Sequence, residues 1–553
     1  MPTWLRHYRR EWLGPDIVAG LIVGSVVVPQ AVAYAQIAGL PPSAGLVAAP
    51  GALLAYALLG TSRTLVVSAT TATSALSAAA VGPLADGDVA RFAALSAGLA
   101  VVSGIVLAGA GFLRLGGVMD LVSKPVMTGF LFGLGLFVAV SQLPKMFGVE
   151  DSGSSRFFGK LGDLLADLGD THGWTLAIGA GSVVLLVLLD RLAPSVPAML
   201  VVLVLSIVVS ALFDLGDRGV DVVGDIPAAY PQPAWPDISW RDVADLLPAA
   251  FGVMIVCAEA VGVSRALAGA DGYRVDANRD LVALGGSNLL AGLSQGFVQS
   301  GGASQTMAAE RAGGKTQLGS IIAAGLILVT GAFLTFLFED LPEATLAAIV
   351  VVAIAGFFRI NELWRFARIR SSAFFLSLTA LVGVLLFGVL PGLLIAAGLS
   401  LILVIKRLSR PDVGELARDP SSGAWGHVER HPGWSAPQQV AVAQVDGPLF
   451  YANAMSVKER IIDLVYDSEP RPRAVVFDLA DSHDLDVESL DMLGELAEEL
   501  AAQGIELRLA AVRAPALELL RRSGLTGRLR IEPTVDAAVT SSASDDGPQH
   551  SRR

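Results

Sequence analysis

Charge is scarce in this chain. Of its 553 residues, 16% are Asp, Glu, Lys or Arg and 53% are hydrophobic, whereas about a quarter of the residues in soluble domains are charged. With a mean hydropathy of +0.61, a water-soluble fold cannot hide that much apolar surface. Cysteine is nearly absent: Cys257 stands alone inside an apolar run, which excludes an intramolecular disulfide and leaves a small packing residue. A basic excess is lacking too. The formal charge is -12, and a polyphosphate binder needs a basic face to displace counterions, so nucleic acid is excluded as a partner. The N-terminal stretch MPTWLRHYRREWLGPDIVAG has no small-residue cleavage site after its first apolar run, so no removable signal peptide is expected. The sequence offers no catalytic dyad, nucleophile motif or metal-ligand cluster, so neither an enzyme nor a cofactor is expected.

What is present is a succession of apolar runs between Asp16 and Leu408. Runs approaching the length of a bilayer crossing lie near 16–38, 44–59, 92–112, 125–147, 174–189, 194–213, 246–268, 281–297, 317–338, 344–358, 373–388 and 390–406. Two short, polar, small-residue segments, 68–82 and 302–312, complete a set of about fourteen membrane elements. Lys and Arg mark the cytoplasmic side of short loops. With a cytoplasmic N-terminus, that side receives Arg63, Arg114 and Lys124, Arg191, Arg265, Arg274 and Arg279, Arg311 and Lys315, the cluster from Arg359 to Arg370, and Lys406 to Arg410. The opposite loops, such as EDSGSS at 150–155 and EDLPE at 339–343, carry far less positive charge. The alternation works only if both short polar segments count as crossings or half-crossings. The stretch from Ser155 to Asp170 has apolar residues at helical spacing and reads either as an amphipathic helix on the outer membrane surface or as an ordered loop.

Beyond Pro411 the period changes. The runs 440–446, 473–480 and 505–512 read as short buried strands, with amphipathic helices between them. The chain therefore divides into a transmembrane domain at 1–410, a linker at 411–435, an α/β domain at 436–541 and a polar, disordered tail at 542–553.

Ionisable and polar groups in hydrocarbon are functional candidates. Glu259 stands in FGVMIVCAEAVGVSRALAG, where it can either exchange protons or brace two helices through hydrogen bonds. Gln30 and Tyr34 follow Pro29, one helical turn apart; they face a cavity, or they belong to a Pro-kinked packing helix. The segments LVVSATTATSALSAAA and QSGGASQTMAAERAGG have the look of discontinuous helices whose positive dipole ends aim at an anion, although small residues also serve close packing.

The runs PQAVAYAQIAGLPPSAGL, GTSR at 60–63, SKPVMTGFLFGLGLFVAVSQL at 123–143, VVGDIPAAYPQPAWP at 222–236, ANRDLVALGGSN at 277–288, GGKTQ at 313–317 and GPLFYANA at 447–454 together resemble the SulP (sulfate permease) anion transporters, the family that includes prestin. The resemblance implies a polytopic α-helical membrane protein with a seven-plus-seven inverted repeat like the uracil permeases, core and gate subdomains, a C-terminal cytoplasmic α/β STAS domain open to a regulatory protein, and a homodimer in the cell inner (plasma) membrane. Carried over by position, it places the anion between Thr70 and the run Gly302, Ala303 and Ser304, with Gln30 lining the pocket. Gln305 stands where many animal members have arginine, so a fixed positive charge is expected to be missing. Glu259 matches an aspartate of sodium-coupled members, while Val263 replaces a later threonine. This favours proton-coupled symport of a dicarboxylate, sulfate or bicarbonate, with uncoupled chloride or bicarbonate exchange and sodium-coupled bicarbonate symport as alternatives. In the STAS run DVESLDML, Glu488 stands where an acceptor serine is expected, so phosphorylation there is not expected, and no glycine-rich loop supports nucleotide binding.

Overall fold

Inside a bilayer every backbone polar group must find a partner within the protein, and this chain meets the demand with helices. The computed structural model describes all residues except 1–3, 6–7, 118–122, 151–153, 155, 194–196, 271, 410, 438 and 545–553. The first half contains α1 (Leu13–Ile37), α2 (Pro42–Leu59), α3 (Thr71–Ala85), α4 (Val89–Phe112), α5 (Lys124–Phe147), α6 (Phe157–Ala166), α7 (Gly173–Leu192) and α8 (Ala198–Phe213). The second contains α9 (Trp240–Ala270), α10 (Ala277–Leu293), α11 (Ala303–Arg311), α12 (Leu318–Phe333), α13 (Glu343–Ile354), α14 (Ile360–Ile369), α15 (Ser371–Phe387) and α16 (Val389–Leu408). Each of the fourteen expected segments holds a helix, and eight stretches among the described residues are long and apolar enough to cross a membrane on length and composition. α6 fills the surface-helix stretch. α14 was not expected, because its arginines read as a loop.

The two halves match element by element. The third helix of each is preceded by a two-residue strand, β1 (Val67–Ser68) before α3 and β2 (Ser300–Gly301) before α11, and the sixth helix of each is short and amphipathic. Packing follows the same exchange: α12 lies on α1 as α4 lies on α9, α11 on α1 as α3 on α9, and α15 on α5 as α7 on α13. Even the polar latches repeat. Asp16, in the first turn of α1, accepts hydrogen bonds from the backbone N–H of Lys315 (2.7 Å) and Thr316 (3.0 Å) ahead of α12. Asp242, in the first turn of α9, accepts from Arg91 at the start of α4 (2.8 Å) and from the N–H of Ser239 (2.8 Å).

α4 and α10 touch backbone to backbone. A methyl group on Gly104, Gly111, Gly285 or Gly292 would lie 2.5 to 2.8 Å from a backbone atom of the opposite helix. Lipid tails give no hydrophobic drive between helices, so such close approach supplies the packing energy. α1 runs unbroken through Pro29, so the weakening expected there does not interrupt the helix.

The second compact unit begins at Ile402. Its strands are β3 (Val413–Arg418), β4 (Trp425–His427), β5 (Val440–Val445), β6 (Ala474–Asp478), β7 (Glu506–Ala510) and β8 (Arg530–Glu532), in sheet order β4-β3-β5-β6-β7-β8. β5 to β8 run parallel, while β3 pairs antiparallel with both β4 and β5. Its helices are α17 (Ala454–Asp467), α18 (Val487–Ala502), α19 (Ala514–Arg522) and α20 (Val535–Ser544). Strand alternation sorts the core. Val475 and Phe477 face Val457, Ile461, Leu493 and Leu520, while Val440, Val442 and Val476 face Val535 and Ala538 of α20. The stretch 411–435, expected as a linker, carries β3 and β4 instead. β4 is an edge strand, and the polar turn DPSSGA divides it from β3, which hides their period. The tail expected from residue 542 starts within α20, and residues 545–553 lie outside the described ones.

Two outcomes follow from this packing. Gly285→Leu drives a side chain into the α4 backbone and should cost about 1–3 kcal/mol of stability, read as a lower melting temperature of the detergent-solubilised protein; an unchanged melting temperature would show that the crossing tolerates volume. A chain ending at Ser409 should remain inserted and monodisperse. One ending at Ser435 keeps β3 without β5 and should aggregate or be clipped by protease, which size-exclusion chromatography distinguishes.

Candidate anion-binding site

The two strands meet in the middle of the first unit. Val67 pairs with Gly301 and Ser68 with Ser300, antiparallel. The N–H of Gly302 donates to the carbonyl of Val66 (3.0 Å), and the N–H of Val66 donates to Thr306 Oγ1 (3.0 Å). Gly301 must be glycine here, because a Cβ would lie 2.7 Å from that of Ala260 in α9. This short crossing sets the first turns of α3 and α11 around one cavity of about 190 Å³, lined by Thr70, Thr71, Ala72, Gly302, Ala303 and Ser304 among others.

At the start of α3, Thr70 caps the helix: its Oγ1 accepts from the N–H of Thr73 (3.3 Å), and Thr73 Oγ1 accepts from the N–H of Thr70 (3.3 Å). At the start of α11, Gly302 has no side chain to cap with. The first amides of a helix have no acceptor within it. Those of Thr71, Ala72, Ala303 and Ser304 meet no protein acceptor among the described residues, and Ala303 and Ser304 are exposed. Two helix N-termini with free N–H groups are a site for an anion.

Gln305 closes the wall behind them. Its Nε2 donates to Gln30 Oε1 (2.7 Å) and to the Ala69 carbonyl (3.3 Å), while its Oε1 is buried without a hydrogen-bond partner among the described residues. Gln30 donates in turn toward Met199 Sδ (3.3 Å). Gln30, expected to line the pocket, stands one layer back. It orients Gln305, and through it Gly302, whose missing Cβ leaves room for the Gln305 carboxamide. Tyr34, one turn farther along α1, does line the cavity.

Glu259 of α9 lines the same cavity, and so does Arg359 at the N-cap of α14. The expectation of a missing positive charge is therefore corrected: Gln305 offers none, but Arg359 supplies a guanidinium from another element. Sequence reasoning had assigned Arg359 to the basic loop cluster, and the apolar pair Phe357 and Phe358 before it gave the only hint that it sits at a membrane boundary. Ala353, Gly356 and Phe357 complete that side. Val263 is not among the lining residues.

In the second unit, Glu488 lies in the first turn of α18, where Asp486 is the cap and accepts from the N–H of Ser489 (2.9 Å). Ser489 is fully buried.

A profile of the sulfate permease family matches residues 13–380, and a STAS domain profile matches 435–538. Two probable sulfate transporters of Mycobacterium tuberculosis are each 34% identical over 525 residues, covering 95% of this chain and 94% of theirs. A chloroplastic sulfate transporter of Arabidopsis thaliana is 28% identical, covering 94% of this chain and 78% of its own. Among solved structures, the murine Slc26a9 anion transporter superposes with a TM-score of 0.89 at 22% identity, covering 98% of this chain and 93% of that one. The transmembrane domain of a cyanobacterial bicarbonate transporter, BicA, gives 0.62 at 23% identity, covering 70% and 98%. These relatives are transporters rather than enzymes, and with a family profile spanning most of its length and a STAS domain behind it, the chain belongs to the sulfate permease family of anion transporters.

Proposed function

We propose that the chain is a proton-coupled symporter of a small divalent anion, with the anion held between the first turns of α3 and α11 and the proton carried by Glu259. The observation behind this reading is that a carboxylate, a guanidinium and the first turns of two helices with free N–H groups line a single cavity. Ionised Glu259 opposes an incoming anion and offsets Arg359. Once protonated, it leaves Arg359 and the amides as an uncompensated positive site. Proton and anion then bind better together than apart, and by linkage each raises the affinity of the other equally. The named relatives put sulfate first among the candidates, with bicarbonate and small dicarboxylates behind it, because amides and hydroxyls read charge and size. The basic loops support a cytoplasmic STAS domain, and Thr70, Gly302, Ala303, Ser304 and Tyr34 would shape the anion pocket. Homodimerisation and a regulatory protein at the STAS domain belong to the same reading.

The deciding measurement is uptake of radiolabelled sulfate, bicarbonate and succinate into proteoliposomes together with lumenal pH. The wild type should acidify the lumen as it takes up substrate, and its apparent affinity should rise as pH falls. Glu259→Gln should bind the anion at all pH values as the wild type does in acid, and should carry it without moving protons; acidification by this variant at the wild-type rate would remove Glu259 from the mechanism. Arg359→Gln should lose one charge-assisted contact, weakening affinity by about tenfold or more.

Volume tests the location. Ala303→Trp should fill the cavity and abolish transport with expression unchanged, whereas Ser304→Ala should weaken affinity by only about 0.5–1.5 kcal/mol. Transport by Ala303→Trp at the wild-type rate would put the site elsewhere.

A further inference from the structure

α14 has a face that the transport reading does not use. Its inner side carries Phe366, buried against the bundle, and the helix packs on α15 and α5. Its one carboxylate is already engaged: Glu362 pairs with Lys124 at 3.2 Å and with Arg365 at 3.5 Å. On the outer side Asn361, Trp364, Arg365, Arg368 and Ile369, residues three or four apart and hence on one face, line an open concavity of about 600 Å³. Trp364 is 63% exposed and Ile369 70% exposed, a costly arrangement in water and a stable one where headgroups meet acyl chains.

The charge of this helix is not a requirement of the fold. α6 holds the equivalent place in the first half, and its stretch 156–170 carries Arg156 and Lys160 against Asp163, Asp167 and Asp170. The stretch 359–370 carries Arg359, Arg365, Arg368 and Arg370 against Glu362 alone. These two corresponding stretches thus differ in sign. Arg365 and Arg368 are one turn apart beside Trp364, so their guanidinium forks can grip a phosphate oxygen pair while the indole and Ile369 lie on the glycerol and upper acyl chain.

We propose that the outer face of α14 is a binding site for the phosphate headgroup of an anionic phospholipid. The site uses residues outside the anion cavity and stands whether or not the chain couples protons.

The experiment places the full-length protein in phosphatidylcholine nanodiscs containing either dibrominated phosphatidylglycerol or dibrominated phosphatidylcholine at the same mole fraction. Bromine quenches nearby indole, and the difference between wild type and Trp364→Phe isolates Trp364. Brominated phosphatidylglycerol should quench it well beyond brominated phosphatidylcholine. Arg365→Gln and Arg368→Gln should each reduce the enrichment by roughly fivefold, the worth of one basic residue near an anionic surface, and high salt should reduce it in the unmodified protein. Equal quenching by both lipids, no quenching of Trp364, or an enrichment that survives in the double variant would overturn the site. Loss of the enrichment on adding millimolar inorganic phosphate at constant ionic strength would also overturn it, by showing a site for free anions rather than for lipid.

Discussion

The structure depends on one constraint: a backbone amide placed in hydrocarbon must be bonded to something. α3 and α11 begin inside the first unit, so their first N–H groups are created where water is scarce. The N–H of Thr73 is satisfied locally by the Thr70 hydroxyl, and that of the Gly302 cap residue by the Val66 carbonyl. Thr71, Ala72, Ala303 and Ser304, whose N–H groups meet no protein acceptor among the described residues, line the cavity. An anion is the ligand that suits such groups at least cost, since its lone pairs accept the hydrogen bonds that the N–H groups donate. The neighbouring residues serve to hold the two starts in register. Thr306 ties α11 to Val66, Gln30 fixes Gln305, and the absence of Cβ atoms at Gly301 and Gly302 lets α9 and the Gln305 amide close the wall.

Hydropathy made the membrane helices legible because an apolar run of bilayer length has few other uses. The two broken helices were legible for the opposite reason: they were too polar to span alone, yet the alternation of basic loops failed without them. Family likeness then carried Thr70, Gly302, Ala303 and Ser304 to the cavity that they line. Arg359 was hidden by a rule that worked too well. The preference of arginine for one side of the membrane explained it completely, so nothing remained to suggest a second role. Gln30 was assigned correctly to the neighbourhood and one layer too far forward, because periodicity gives a helix face but not the depth of a side chain behind its neighbours. β3 and β4 were missed since both are short and a polar turn divides them. The glycine crossing of α4 and α10 leaves no trace in hydropathy. It became visible only when the two helices were seen to share a backbone contact.

The chain repeats its architecture without repeating its chemistry. Asp16 and Asp242 stand at equivalent places and hold equivalent helices, Asp16 through backbone N–H groups ahead of α12 and Asp242 through Arg91 of α4. The groups in the cavity are not equivalent. α1 contributes Tyr34 and, behind it, Gln30, both neutral, while α9 contributes Glu259 and the second half adds Arg359. α3 starts with a threonine that caps its own helix, whereas α11 starts with a glycine that cannot. A repeat of this kind builds two interchangeable sides, and a carrier with fully equivalent sides would have no chemical reason to treat its two orientations differently. Placing the carboxylate and the guanidinium of the cavity on the second half breaks that equivalence at the one place where it matters.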